Sequence, residues 1–177
     1  MTTKVSSAMQ DLTDDYAFSG TVSGAGKIVQ VVHVTDGALA TGTATIPLDD
    51  TIPQITEGTE FMTLAITPTD ASNILFIDVV TMFGSATANV MYVNALFVGS
   101  TAGALATAQA GMDSAGNRPQ VTTAFKHRMV AGATTALTFR LRAGCHGAGT
   151  IAFNAYNGAA HFGGTYASSM TITEVSA

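Results

Sequence analysis

The sequence TGTATIPLDDTIPQITEGTEFMTLAITP, which runs from Thr41 to Pro68, decides the fold class of this chain. Its Thr-rich beginning, residues 43–46, predicts a short strand that ends at Pro47, because proline has no N–H to donate to a strand ladder. Its last part, residues 60–67, alternates between two sets of side chains, as a strand with one buried face does. The long loop between these strands is therefore predicted to be an ordered surface feature and not a linker.

Short segments of strand composition follow one another from residue 28 to the end of the chain. Residues 74–82 and 89–98 are apolar on both faces, which predicts that both faces are buried. We therefore predict an all-β fold, an antiparallel jelly-roll sandwich of about ten strands, with no helix after residue 13. The other predicted strands are 28–34, 121–130, 135–142, 150–154, 160–163 and 169–175, while 105–110 is either a weak strand or a loop.

The N-terminal residues have a different pattern. One helical face about two turns long is formed by Val5, Ala8, Met9 and Leu12. This predicts a short helix or, alternatively, an extended tail, and a helix of this length needs a neighbour because it is not stable alone in water. We predict two parts, an N-terminal attachment and hinge segment of residues 1–26 and a jelly-roll knob domain of residues 27–177.

The composition limits the possible functions. Charged residues make up 11% of the chain, against about 25% in an ordinary soluble domain, which favours self-association because oligomer interfaces are poor in charge. The net charge of −5 gives no electrostatic reason to bind nucleic acid or an anionic membrane. The single cysteine, Cys145, excludes an intrachain disulfide. Without a signal-peptide pattern or an apolar run of about 18 residues, we expect neither export nor membrane insertion.

No pattern of catalytic or metal-binding residues is complete. Residues 20–27, GTVSGAGK, fail the spacing of a phosphate-binding loop, and the histidines form no HExxH pair. Cys145 and His146 are adjacent, which is poor geometry for one tetrahedral metal. Glu60 and Asp78 could serve as glycosidase carboxylates, but Asp78 lies in an apolar strand and is better explained as a satisfied buried or subunit-facing residue. We therefore predict no enzyme, no metal and no cofactor.

Four of the seven basic residues fall in two neighbouring predicted strands. If residues 121–130 and 135–142 form a hairpin, one solvent face of it carries Lys126, Arg128, Arg140 and Arg142. This face could bind an anionic glycan or a complementary subunit, or it could be solvated without a partner. A third possibility is ion pairing, within or between subunits, with the acidic residues Asp49, Asp50, Glu57 and Glu60. The same acidic loop could bind calcium, but it lacks the spacing of a dedicated calcium loop.

Three stretches resemble a known group of proteins. TIPLDDTIPQITEGTEFM, within the opening segment, resembles a stretch of bacteriophage tail-fibre and related virion-surface proteins, near the start of a C-terminal β-sandwich head. FSGTVSGAGKIVQVV (Phe18 to Val32) resembles the beginning of such heads, and FGGTYASSMTITEV (Phe162 to Val175) resembles their last strand. The resemblance implies a non-enzymatic virion protein with a tumour-necrosis-factor-like jelly roll, made in the host bacterial cytoplasm and located on the virion surface.

Jelly rolls of that type bury apolar strand faces by packing three copies around an axis, so we expect a homotrimer. The expected interface residues are Phe76, Tyr92 and Phe97, of which the last two lie on opposite faces of one strand. The expected contacts to other virion proteins, either tail and baseplate proteins or the major capsid protein, are Val5, Met9, Leu12, Tyr16 and Phe18.

The resemblance further implies a tail-fibre knob whose exposed loops contact a host-surface glycan or protein. The turn-rich candidate loops are 111–118, 144–149 and 156–158. The expected contact residues are Arg118, Lys126, Arg128, Arg140, Arg142, His146, Tyr156 and Asn157. The alternative is a capsid decoration, cement or head-knob protein that is anchored to the shell by its short N-terminus.

Overall fold

Strands make up most of the chain in the computed structural model, which describes residues 26–85, 87, 90–111 and 120–177. The strands are β1 (Ile28–Asp36), β2 (Ala40–Gly42), β3 (Thr59–Ile66), β4 (Ile74–Ser85), β5 (Tyr92–Val98), β6 (Ala106–Ala110), β7 (Val121–Val130), β8 (Leu137–Cys145), β9 (Ile151–Phe153), β10 (Ala155–Tyr156), β11 (Ala159–Ala160) and β12 (Ser168–Val175). A single turn of 3-10 helix, Phe162–Gly164, precedes β12. The predicted N-terminal helix and its attachment residues Val5, Met9, Leu12, Tyr16 and Phe18 lie outside the described residues.

The eight longest strands pair from the two ends of the sequence inwards. The first, β1, pairs with the last, β12, and then β3 pairs with β8, β4 with β7, and β5 with β6, all antiparallel. These pairs make one long antiparallel ribbon. Lateral pairing of β12 with β4 and of β8 with β5 rolls the ribbon into two sheets. A ribbon rolled in this way is a jelly roll, so the predicted fold class is confirmed.

The core lies between the two sheets. The first sheet has the order β1–β12–β4–β7, and the second has the order β3–β8–β5–β6. The last residues of β4, Phe83 to Ser85, also pair with β9, which in turn pairs with β2. Phe83 and Phe153 of the first sheet meet Phe61 of the second, with ring centroids 5.9 and 5.1 Å from that of Phe61. A β-bulge between Glu60 and Met62 turns Phe61 towards this core, although simple alternation places it opposite Met62.

Two predicted strands are corrected. Residues 43–46 are not a strand, because they leave β2 and cross the outer side of the second sheet, where the Ile46 N–H donates to the Cys145 carbonyl oxygen at 3.1 Å. The predicted strand of residues 160–163 is wrong beyond Ala160, which ends β11, because Phe162 and Gly163 have φ of 56° and 60°, in the left-handed region that no strand uses. Between the two alternatives for residues 105–110, the structure shows a strand, β6.

The predicted hairpin of residues 121–130 and 135–142 is wrong. The first of these segments is β7, which pairs with β4, and the second is β8, which lies in the other sheet between β3 and β5. The reason is the rolled ribbon, in which the connection between β7 and β8 crosses from one sheet to the other. The side chains of the two strands therefore cannot share a solvent face.

The second sheet is covered on its outer side by the chain itself. Residues 43–58, which we call the covering loop, pass over β5, and Ile46 and Ile55 of this loop pack against Val93 and Phe97. Ile46 and Phe97 are fully buried there. The prediction that β5 is buried on both faces is confirmed, and the covering loop is what buries its second face. The same prediction for residues 74–82 is wrong for a single chain, because burial alternates along β4 and Phe76 on its outer face is 40% exposed.

Candidate functional site

The two ends of the sandwich differ in what they carry. One end, the terminal end, holds the start of β1 and the end of β12. Here the Lys27 N–H donates to the Ser176 hydroxyl at 3.0 Å, and the Ser176 N–H donates to the Lys27 carbonyl oxygen at 2.9 Å. The opposite end, the loop end, carries the connections that follow β4, β6, β8 and β9. The candidate loops 144–149 and 156–158 lie at the loop end, whereas of 111–118, which includes Arg118, only Gly111 is described.

The terminal end is closed by a buried carboxylate. Glu174 on β12 is fully buried and accepts four hydrogen bonds, at 2.5 Å from Gln30 Nε2, 2.6 Å from Asn73 Nδ2 and 2.8 Å from both the N–H and the hydroxyl of Thr69. Burial acts to raise the pKa of Glu174, but the hydrogen bonds from Asn73, Gln30 and Thr69 outweigh it and lower this pKa to about 2. Glu174 therefore joins β1, β12 and the β3–β4 connection.

Two of the predicted basic contact residues pair with a carboxylate on the neighbouring strand β3. Arg140 and Arg142 on β8 lie 3.1 and 3.5 Å from the Glu60 carboxylate. Arg142 also donates to the carbonyl oxygens of Glu57 at 2.9 Å and Gly58 at 2.7 Å. Ion pairing within one chain, which was one of the possibilities for this patch, is thus confirmed for Glu60. The Arg142 guanidinium therefore holds the end of the covering loop on the second sheet, and because both arginines are paired with Glu60 they do not form a free cationic patch.

The other two predicted basic residues lie on the first sheet. Lys126 and Arg128 are on the outer face of β7, and Lys126 Nζ lies 2.5 Å from the carboxylate of Asp78 on β4. Asp78 is half-buried and paired, which agrees with the prediction that it is a satisfied residue. The prediction of one basic face is wrong, because its members divide between the outer sides of two different sheets.

The outer face of the first sheet is apolar near the terminal end. Val31 on β1, Phe76 on β4 and Val130 on β7 are 54%, 40% and 50% exposed, and Ile74 and Val175 lie beside them in register. No element of the described chain packs over this face, in contrast to the outer side of the second sheet. We call this surface the apolar sheet face.

Two of the three expected trimer contacts are corrected. Tyr92 lies in the core between the sheets, and Phe97 lies under the covering loop, and each is at most 1% exposed within a single chain. Neither ring can contact a second subunit, because their own chain surrounds them. Only Phe76 retains an exposed ring that could meet another copy.

The residues around Cys145 are engaged in the fold. The His146 N–H donates to the Met91 carbonyl oxygen at 3.0 Å, and its Nδ1 accepts from the Met91 N–H at the same distance. Burial raises the pKa of Cys145 to about 11, so its thiol stays protonated and is a poor nucleophile. In the part of the chain that the structure describes, no group of three or more acidic, His or Cys side chains could hold a metal.

The loop end carries an exposed hairpin. The strands β10 and β11 are joined by Asn157 and Gly158, whose φ values of 51° and 75° suit a tight two-residue turn. Tyr156, an expected receptor contact, is 47% exposed at this hairpin. The next residues, His161 and Phe162, were not predicted as site residues, although the Asn-Gly pair and the sequence Phe-Gly-Gly are signals of turns.

Three aromatic side chains follow one another across this hairpin. The ring centroids of Tyr156 and His161 are 5.8 Å apart, and those of His161 and Phe162 are 6.0 Å apart. Adjacent rings are tilted by 57° and 51°. Phe162 is 75% exposed, the largest exposure of any bulky apolar residue in the described chain. We call these three residues the aromatic strip.

A shallow groove of about 410 Å³ runs between the covering loop and β6. It is lined by Asp49, Ile52, Pro53 and Thr107, among others. Asp49 accepts hydrogen bonds from the N–H and hydroxyl of Thr51, at 2.9 and 2.5 Å, and these bonds lower the pKa of its carboxyl. The carboxylate thus serves the local turn.

No helix within the described residues has the length and apolar character to cross a membrane.

No family model and no curated protein matches this sequence. Among solved structures, dimeric latent PorU from Porphyromonas gingivalis is similar with 9% identity and a TM-score of 0.41, over 85% of this chain and 13% of that one. The VP2 subviral particle of infectious bursal disease virus is similar with 12% identity and a TM-score of 0.37, over 83% of this chain and 37% of that one. This chain therefore spans well under half the length of these proteins, and likenesses this distant carry no information on function.

Proposed function

We propose that this chain is a non-enzymatic structural protein of a bacteriophage virion, the jelly-roll knob of a trimeric tail fibre that exposes loops for adsorption to the host surface. The placement of the chain entry and the exposed hairpin at opposite ends of the sandwich is the observation that carries this proposal. Residue 26 enters β1 at the terminal end, and the exposed hairpin lies at the loop end. A knob attached through residues 1–26 would present that hairpin away from the particle. The resemblance of three stretches to virion-surface proteins supports the same function.

The apolar sheet face supports self-association. Monomeric proteins rarely expose a contiguous apolar surface like the one that carries Val31, Phe76 and Val130. The chain also has few charged residues with which to cover a monomer's surface. Packing this face against other copies would remove the three side chains from water. It would also place Arg128, the neighbour of Phe76 in register, at the rim of the interface.

Replacing Phe76 with arginine is expected to convert the protein from a trimer to a monomer. The charge would lie in the interface beside Arg128, where desolvation and like-charge repulsion both oppose association. Light scattering coupled to size-exclusion chromatography checks this, with an expected wild-type mass three times the chain mass of 18.0 kDa. Thr122→Arg, on the outer face of β7 at the other end of the sheet, is the matched control and should stay trimeric. A monomeric or dimeric wild-type protein would contradict the trimer.

Immunogold electron microscopy of the phage that encodes this chain is expected to place the label on fibre or tail tips. Label spread over the head would instead show a capsid decoration protein and overturn the tail-fibre function. Absence of label from purified particles, with label present in the infected-cell lysate, would overturn a virion function altogether. An antibody raised against the wild-type protein serves in all three cases.

A further inference from the structure

We infer that the aromatic strip, Tyr156, His161 and Phe162, binds an uncharged glycan of the host surface; this inference rests on the adsorption function proposed above and names the ligand class. The strip lies at the loop end, on the hairpin that projects from the sandwich. Sugar rings present an apolar C–H face with hydroxyl groups around it. Exposed aromatic rings complement such faces, and Tyr and His add polar groups at the ring edge.

Phe162 is held in a way that folding does not require. Its φ of 56° is costly for a bulky side chain, and Gly163 and Gly164 continue the left-handed path with φ of 60° and 87°. Glycine at position 162 would adopt the same backbone without that cost. The ring is also 75% exposed and gains little from burial. A large apolar side chain kept in strained backbone and in water is typical of a residue that contacts a ligand.

The surroundings of the strip favour an uncharged ligand. Residues 143–173 contain no Asp, Glu, Lys or Arg, so the hairpin and its flanks carry no formal charge. The adjoining β1–β2 turn contributes Asp36, whose backbone carbonyl accepts from Asn154 Nδ2 at 2.7 Å and whose carboxylate accepts from the Ala38 N–H at 2.7 Å. Of the four basic residues expected to attract an anionic glycan, Arg140 and Arg142 are paired with Glu60, Lys126 is paired with Asp78, and Arg128 lies beside Phe76 towards the terminal end.

The size of the strip favours a glycan over a protein. A specific protein interface buries about 1,000 Å² or more in total. The strip consists of three rings with centroid steps of 5.8 and 6.0 Å, which is a length suited to a few consecutive sugar units. Since adjacent rings are tilted by more than 50°, each ring faces a different direction and can contact a different sugar.

The test measures binding of the full-length trimer to immobilised oligosaccharides. The neutral probes are chitohexaose, maltohexaose and mannohexaose, and the anionic probes are oligosialic acid and oligogalacturonate. We expect at least one neutral probe to bind and no anionic probe to bind more tightly. Phe162→Gly and Tyr156→Ala should each weaken that binding roughly tenfold, as expected from the loss of one stacked ring. Phe162→Tyr should stay within threefold, and Ile52→Ala, at another exposed apolar residue, should change nothing.

Folding is monitored through the thermal unfolding midpoint and the trimer mass. Phe162→Gly should keep both, because glycine relieves the backbone strain at this position. Failure of every neutral probe to bind, or neutral binding that survives Phe162→Gly, would overturn the inference. The inference would also be overturned if protease treatment of host cells abolished adsorption while periodate oxidation of their sugars did not. Virion labelling is independent of these results. Fibre-tip label without neutral glycan binding would overturn only this inference. Neutral glycan binding without virion label would overturn only the proposed function.

Discussion

Replacing Glu174 with glutamine is expected to lower the free energy of unfolding by about 3 kcal/mol at pH 7. All four groups that contact this carboxylate are donors, from Gln30, Asn73 and Thr69, so both oxygens must accept. A glutamine amide would place its own N–H groups against one of these donors in a buried site. Urea denaturation measures the loss. Glu60→Gln, at the partly exposed ion pair with Arg140, is the matched control and should cost less than about 1 kcal/mol.

The same carboxylate makes stability depend on pH in a defined window. The pKa of Glu174 is about 2 in the folded protein and 4.5 in the unfolded chain, so the unfolded chain takes up the proton more readily. Its stabilising contribution is therefore complete above pH 4.5 and is lost as the pH falls towards 2. The Glu174→Gln variant should lose less stability than the wild type between pH 5 and pH 2. Parallel stability curves for the two proteins in this range would contradict the role assigned to Glu174.

Replacing Ile46 with alanine is expected to lower the free energy of unfolding by about 3 kcal/mol. Ile46 is fully buried between the covering loop and the outer side of β5, against Val93 and Phe97, so alanine would leave a cavity there. Ile52→Ala is the matched control, because the same residue type in the same loop is 62% exposed. It should change stability by less than about 0.5 kcal/mol. Equal losses in the two variants would mean that the loop does not pack on the sheet as described.

The amino-acid pattern predicted the class of fold but not the partners of its strands. Alternation and apolar runs report which side chains are buried, and they located β4, β5, β7 and β12 closely. They do not report what buries a face. The second apolar face of β5 was assigned to another subunit, whereas Ile46 and Ile55 of the same chain cover it. Adjacent strands usually pair, which led to the wrong hairpin of β7 and β8, because a jelly roll places these neighbours in different sheets.

The candidate site was partly predictable for a similar reason. Tyr156 and the Asn157-Gly158 turn stand out in the sequence, because Asn-Gly is a strong hairpin signal. Phe162 does not stand out, because its significance lies in a positive φ and an exposed ring, and neither can be read from residue type. Arg140 and Arg142 looked like a binding patch because their partner, Glu60, is distant in sequence and reaches them only through the pairing of β3 with β8.

The pairing of the first strand with the last has a mechanical consequence. A load that pulls residue 26 away from the loop end acts along β1, whose register with β12 extends from Ile28↔Val175 to Asp36↔Ser168. The ladder hydrogen bonds lie perpendicular to that direction, so the load is shared among them at once. Separation then requires the two strands to slide past each other instead of peeling apart one bond at a time. A knob built in this way can transmit tension from a gripped hairpin to its tether without unravelling from the tethered strand.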